Sequence, residues 1–152
     1  MKFERVRQDA FLLVLDRGDA MPAVLLEFAA AQEIRGAHVT ALGACERATI
    51  AYWNASTKKY EKIEVGEQVE IVSLIGNIAR GEDGKPRIHA HVALGKRDGT
   101  LIGGHLVEAH IYPTLEIVLE TFDVAIERKT HAETGLALIA LSTPQNAGHR
   151  RA

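Results

Sequence analysis

The sequence predicts an α+β domain: a largely antiparallel sheet with one long N-terminal helix and short additional helices. Three observations predict it. A single helical pattern lies near the start. After it come runs rich in β-branched and aromatic residues, separated by Gly, Pro and Asp turns. The composition, 47% hydrophobic and 25% charged over 152 residues, suits one domain with its own core.

The elements follow in order. "AFLLVLD", Ala10 to Asp16, reads as a buried first strand. "GDAMPAVLLEFAAAQEIRG" reads as the helix. Asp19 is placed as its N-cap and Pro22 in its first turn, where a missing N–H costs nothing. Val24, Leu25, Phe28, Ala31 and Gln32 form a mostly apolar stripe, and Gly36 is placed as the left-handed C-terminal cap. "AHVTALGACERATIAYWN" reads as strand with a break near Gly43, and "NASTKK" as a turn. "QVEIVSLIGNIA" is a strand ending in the loop "RGEDGKP". "RIHAHVAL", the turn "GKRDGT" and "LIGGHLVEAHIYPTLEIVLETF" follow, then "VAIERK" and "LALIALS". The domain is placed at residues 1–143 and a flexible polar tail at 144–152, including His149.

A net charge of -2 argues against a surface that grips nucleic acid everywhere, since phosphate binding needs clustered Lys and Arg. Cys45 stands alone, so no internal disulfide forms, as expected in a reducing cytosol. The apolar run Ala10 to Leu15 is too short for a secretory signal. No stretch reaches the roughly 18 apolar residues of a membrane helix. These features predict a cytoplasmic protein with no membrane partner.

The chemistry concentrates in "IHAHVALGKRDGTLIGGHL", Ile88 to Leu106. On a strand, His89 and His91 share one face and Ile88, Ala90 and Val92 the other. "KRDGT" matches a three-residue hairpin loop with glycine left-handed. With Arg97, Asp98 and Gly99 in the loop, His91 opposes His105 and His89 opposes Val107. All three rings then converge on one face. A two-residue loop, Asp98 and Gly99, slips the register by one and turns His105 away. A bulge at Gly103 and Gly104 spoils the count as well. In the first register, His89, His91 and His105 make a metal site for zinc or another divalent transition metal. Three nitrogens leave a position open for water or a ligand. The glycines before His105 let backbone or ligand approach closely. An H-x-H pair on a half-exposed strand is also ordinary polar surface, and the third histidine is what argues beyond that.

Other residues carry weaker signals. His110 is a candidate extra ligand or supporting group, but its odd spacing from His105 turns it away on a regular strand. His38 is read as a hydrogen-bonded partner and His131 as solvated. Cys45 is read as a small buried thiol. Glu70, Glu116 and Glu120 alternate with apolar residues, and Glu116 is the first choice for a general base near the metal. Arg80, Arg87, Lys96 and Arg97 form a modest basic cluster without interleaved aromatics. No catalytic residue is assigned.

"GAHVTALGA", "VEIVSLIGNIA", "PRIHAHVALGKRDGTLIGGHL" and "PTLEIVLE" occur in the order seen in the plant-and-prokaryote-conserved (PPC) domain. The chain resembles that family over roughly Phe11 to Leu141, most specifically in the H-x-H…D-G…G-G-H segment. The resemblance implies a compact α/β domain with an antiparallel sheet, assembled as a homotrimer. "YPTLEIVLETFDVAIE" offers apolar strand surface that subunit packing can cover. The resemblance also implies zinc on residues matching His89, His91 and His105. Plant members bind A·T-rich DNA through a separate AT-hook. Its Arg-Gly-Arg-Pro core does not occur here, so direct DNA binding is not carried over. The expectation is a small homotrimeric metal-binding protein, a regulator or a binder of a small anionic ligand. A DNA-associated protein and a metal-dependent hydrolase using the three histidines are the alternatives.

Overall fold

The computed structural model describes residues 1–141. Its strands are β1 (Lys2–Arg7), β2 (Ala10–Asp16), β3 (Ala20–Met21), β4 (Gly36–Asn54), β5 (Lys59–Val65), β6 (Val69–Arg80), β7 (Pro86–Gly95), β8 (Leu101–Thr121), β9 (Glu127–Thr130) and β10 (Ala137–Ala140), with one helix, α1 (Ala23–Ala31), between β3 and β4. Of the described residues, 65% are strand and 6% helix. The expected α+β architecture with a long N-terminal helix is therefore corrected to a mostly β fold. Among the described residues there are no additional short helices.

Local competition shortens the helix at both ends. Ala20 and Met21 pair with His110 and Ala109 of β8, so their backbone is committed to a ladder. Asp19 caps nothing. Its carboxylate accepts the backbone N–H of Asp16 at 2.9 Å and lies 3.0 Å from the Met1 ammonium. Pro22 takes the N-cap position without a side-chain bond, although its carbonyl accepts the first helical N–H, from Leu26. At the other end Glu33 turns to φ 53° and ends the run. Gly36 begins β4 instead of capping. A Cβ there would meet Ile126 Cγ1 at 2.9 Å, so glycine permits close packing rather than a left-handed turn. What remains of α1 buries Leu25, Phe28 and Ala29 against the sheet.

The first predicted strand keeps its bounds. In β2, Phe11, Leu13 and Leu15 are buried while Leu12 faces out. They pair with Leu119, Ile117 and Leu115 of β8, which makes a continuous apolar ladder in the core. β1 and β5 were not anticipated. Each lies along an exposed edge, and their charged residues hide the strand pattern.

Pairing of the long strands is what positions the site. The first half of β4 pairs with β6, β6 with β7, and β7 with the start of β8. The rest of β8, from His105 to Thr121, then pairs with β4 from Ala51 back to Ala37. The 19-residue β4 and 21-residue β8 thus each belong to several ladders, and the pairings β4–β6–β7–β8–β4 close the sheet into a circuit. No helix among the described residues is long and apolar enough to cross a membrane. The predicted tail and its boundary after residue 143 lie outside the described residues.

Candidate metal centre

The hairpin between β7 and β8 decides the register. Lys96 donates its N–H to the Thr100 carbonyl, and Gly99 donates to the Lys96 carbonyl, both at 2.9 Å. Gly99 stands at φ 82°, so the loop is Arg97-Asp98-Gly99. The Asp98 carboxylate locks it by accepting the N–H and hydroxyl of Thr100. Gly95 then pairs with Leu101, and His91 falls opposite His105.

No bulge interrupts the β7–β8 ladder at the two glycines. They serve close approach of backbone. A Cβ on Gly103 would lie 2.8 Å from the Val92 carbonyl, and one on Gly104 2.8 Å from the Ala51 carbonyl. His105 is thus gripped between β7 and β4. The β7–β8 ladder ends at His91 and His105, so the expected pairing of His89 with Val107 does not form. Instead His89 opposes Asn77 on β6.

The three rings meet. Centroids lie 5.1 Å apart for His89 and His91, 5.2 Å for His89 and His105, and 5.7 Å for His91 and His105. One ligating nitrogen from each falls within 4.8 Å of the others. The Nε2 atoms of His89 and His91 are 3.2 Å apart. Two nitrogens of a tetrahedral zinc site are separated by about 3.3 Å, given Zn–N bonds of about 2.0–2.1 Å. The donor set therefore fits a borderline transition metal. Burial pushes His105 down to about 4, and repulsion from His89, His91 and Arg128 adds to it. His89 is lowered by burial and then by Arg128 and His91. Both rings are held neutral, the state that ligates. The Nδ1 of His105 is buried without a hydrogen-bond partner, a cost of about 1–3 kcal/mol if nothing fills the space.

The triad lies at a cavity of about 500 Å³ whose wall includes His89, His105, Tyr60 and Arg128. Tyr60 stacks on His105 with centroids 4.6 Å apart. Arg128 is only 6% exposed and donates to Asn77 Oδ1 and to the Ala137 carbonyl. Sequence reading missed both residues. Tyr60 sits on the unrecognised β5. Arg128 reaches the site through one parallel bridge, Arg80 to Glu127, which no local pattern announces.

The other candidates lie elsewhere. His110 bonds to Arg47 at 3.0 Å and lies 3.2 Å from Glu108. Five residues of strand, about 16 Å, separate it from His105. A bulge at Val107 breaks the simple parity count, because Thr49 pairs with Glu108 but Ile50 with Leu106. His38 opposes Asn77 and Glu120 on neighbouring strands and makes no side-chain hydrogen bond among the described residues, against expectation. His131 is exposed and bonds to Thr134 in a turn. Glu116 stands at the far end of β8 beside Leu12, Leu42 and Val118, so it cannot serve the triad as a base. Glu120 pairs with Arg7. Glu70 opposes Gly95 and Ala44. Cys45 is fully buried, and its thiol is pushed up to about 11 by burial and by Glu70. The basic cluster is dispersed. Arg87 and Lys96 sit at opposite ends of β7, about 30 Å apart, and pair with Asp83 and Glu67.

The model of the Plants and Prokaryotes Conserved domain matches residues 3–123. The chain belongs to this family. Its fold is shared by a metal-containing protein from Archaeoglobus fulgidus, at 39% identity and TM-score 0.81, over 93% of this chain and 100% of that one. A PPC protein from Pyrococcus horikoshii is 30% identical with TM-score 0.81, covering 93% and 96% of the two chains. A candidate DNA-binding protein from Ralstonia eutropha is 25% identical with TM-score 0.85, over 93% and 96%. No curated protein matches the sequence significantly. The PPC domain here thus carries a histidine triad on the β7–β8 hairpin, within the matched segment.

Proposed function

We propose that this PPC domain is a homotrimeric metal-binding module. It holds zinc, or a similar divalent transition metal, on His89, His91 and His105, and takes a small anionic ligand at the open position. The observation that carries this reading is the convergence of three imidazole nitrogens within 4.8 Å from two adjacent strands. Three histidines without a carboxylate or thiolate leave a coordination position free, the pattern of a ligand-accepting centre. The metal would act as a Lewis acid toward whatever occupies that position. Similarity to a metal-containing protein at 39% identity supports the reading.

Self-association is supported by exposed apolar residues on one sheet region. Leu12 pairs with Val118, Val118 with Thr40, and Thr40 with Ile75 across four strands. Leu12, Val118 and Ile75 are 39%, 43% and 56% exposed, more apolar surface than an isolated sheet face usually leaves open.

Metal analysis of protein purified without an affinity tag tests the centre. One metal per chain, lost in His91→Ala, is expected. A stoichiometry well below one that reloading does not raise defeats the proposal. Light scattering tests the assembly. About three times the 16.6 kDa chain mass is expected, and the chain mass itself would exclude the trimer.

A further inference from the structure

We propose that the cavity beside the triad binds a small monoanionic carboxylate through the Nε–H of Arg128. The proposal deepens the metal reading and rests on it for the ligand's second point of attachment.

Arg128 is the only charged residue among the described buried ones. A buried cation is tolerated when it is paired and fully hydrogen-bonded. Arg128 falls short on both counts. No carboxylate among the described residues forms an ion pair with it. Its two terminal nitrogens are engaged by Asn77 and by the carbonyl of Ala137, both neutral. Its Nε is buried with no partner. The side chain lines the same cavity as His89 and His105, and the register explains why. Asn77, which holds the guanidinium, is the β6 residue directly opposite His89. The positive group on β9 and His89 on β7 are therefore linked through β6 and border one space. Arg128 also lies beyond residues 3–123, so family membership alone says nothing of it.

An incoming anion supplies what the guanidinium lacks. Charge selects its class. The Nε–H is the donor whose nitrogen has no partner, and it suits one oxygen of a carboxylate. Glu82 and Asp83 also line the cavity. Glu82 accepts the Thr130 N–H, and Asp83 pairs with Arg87 at 2.7 Å. Their negative charge weighs against a dianion far more than against a monoanion. Ile88, Leu138 and the Tyr60 ring give an apolar wall for the rest of the molecule.

The test is a titration of metal-loaded protein with butyrate, butyramide and inorganic phosphate. It is followed through the ¹⁵N resonance of the Arg128 Nε–H and by calorimetry, with metal content measured on each sample. Butyrate is expected to shift that resonance saturably and butyramide to leave it in place. Arg128→Gln is expected to weaken butyrate binding about tenfold or more without changing metal content, since one charge-assisted hydrogen bond is worth about 1.5 kcal/mol or more. The resonance needs no substitution, so the test survives a variant that fails to fold. A loaded protein in which butyrate moves nothing overturns the carboxylate site and leaves the metal reading standing. Tighter binding of phosphate than of butyrate overturns the carboxylate class. A protein that takes up no metal yet shows the butyrate shift supports the Arg128 contact while defeating the metal reading.

Discussion

The two ends of β8 follow different rules. From Leu115 to Leu119 the strand is core: Leu115, Ile117 and Leu119 are fully buried, each opposite an apolar partner on β2. From Gly103 to His110 the same strand carries a bulge, two glycines chosen for backbone contact, and a buried ring nitrogen without a partner. One end gains stability from burial. The other gives some up to hold three imidazoles near a buried cation. Such a local violation of polar pairing marks a place kept for something other than folding.

Changes at each end should therefore have separable effects. The largest is expected at the core end. Ile117→Ala should cost about 2–5 kcal/mol by denaturant titration, because the tight ladder relaxes little around the cavity. Metal stoichiometry of the folded fraction should be unchanged, and its loss would show that the two ends are coupled. Next is His91→Ala. Metal affinity should fall about a hundredfold or more, roughly 2.7 kcal/mol, by competition with a chromogenic chelator. Stability of the metal-free form should move by no more than about 0.5 kcal/mol, because this ring is exposed. A large destabilisation there would make the triad structural.

Gly99→Ala probes the turn that sets the register. At φ 82° an added Cβ should cost about 1 kcal/mol and weaken metal binding in step, measured by thermal melting and the same competition. Unchanged metal affinity would mean that the strands, not the loop, hold the histidines in phase. The smallest effect is expected at Cys45. Its thiol, pushed up to about 11 by burial, should resist iodoacetamide at pH 8 until the chain unfolds. Rapid labelling of native protein would show that the core end opens more readily than its packing implies.

The sequence disclosed these ends unequally. The triad was legible because its information is local: an H-x-H pair, a D-G turn and a countable distance to His105. β2 was legible for the same reason, since a short continuous apolar run closed by Asp16 marks it. The helix was overread. Ala20 and Met21 carry no sign of their pairing with residues about ninety positions away, and Glu33 is an ordinary helix former that adopts a left-handed backbone. β1 and β5 escaped because edge strands with charged residues resemble loops. Arg128 escaped for the deepest reason. Its meaning depends on Asn77, which lies 51 residues earlier, and neither residue is unusual where it stands.

The β9–β10 hairpin supplies Arg128, Thr130 and Leu138 to the cavity wall, yet it joins the main sheet through the single bridge from Arg80 to Glu127. Few ladder bonds must break for it to lift away, far fewer than for any strand within the closed circuit. Its amides are accordingly expected to trade protons with solvent sooner than those of the circuit, and the tempo of that breathing would bear on how quickly a guest enters and leaves.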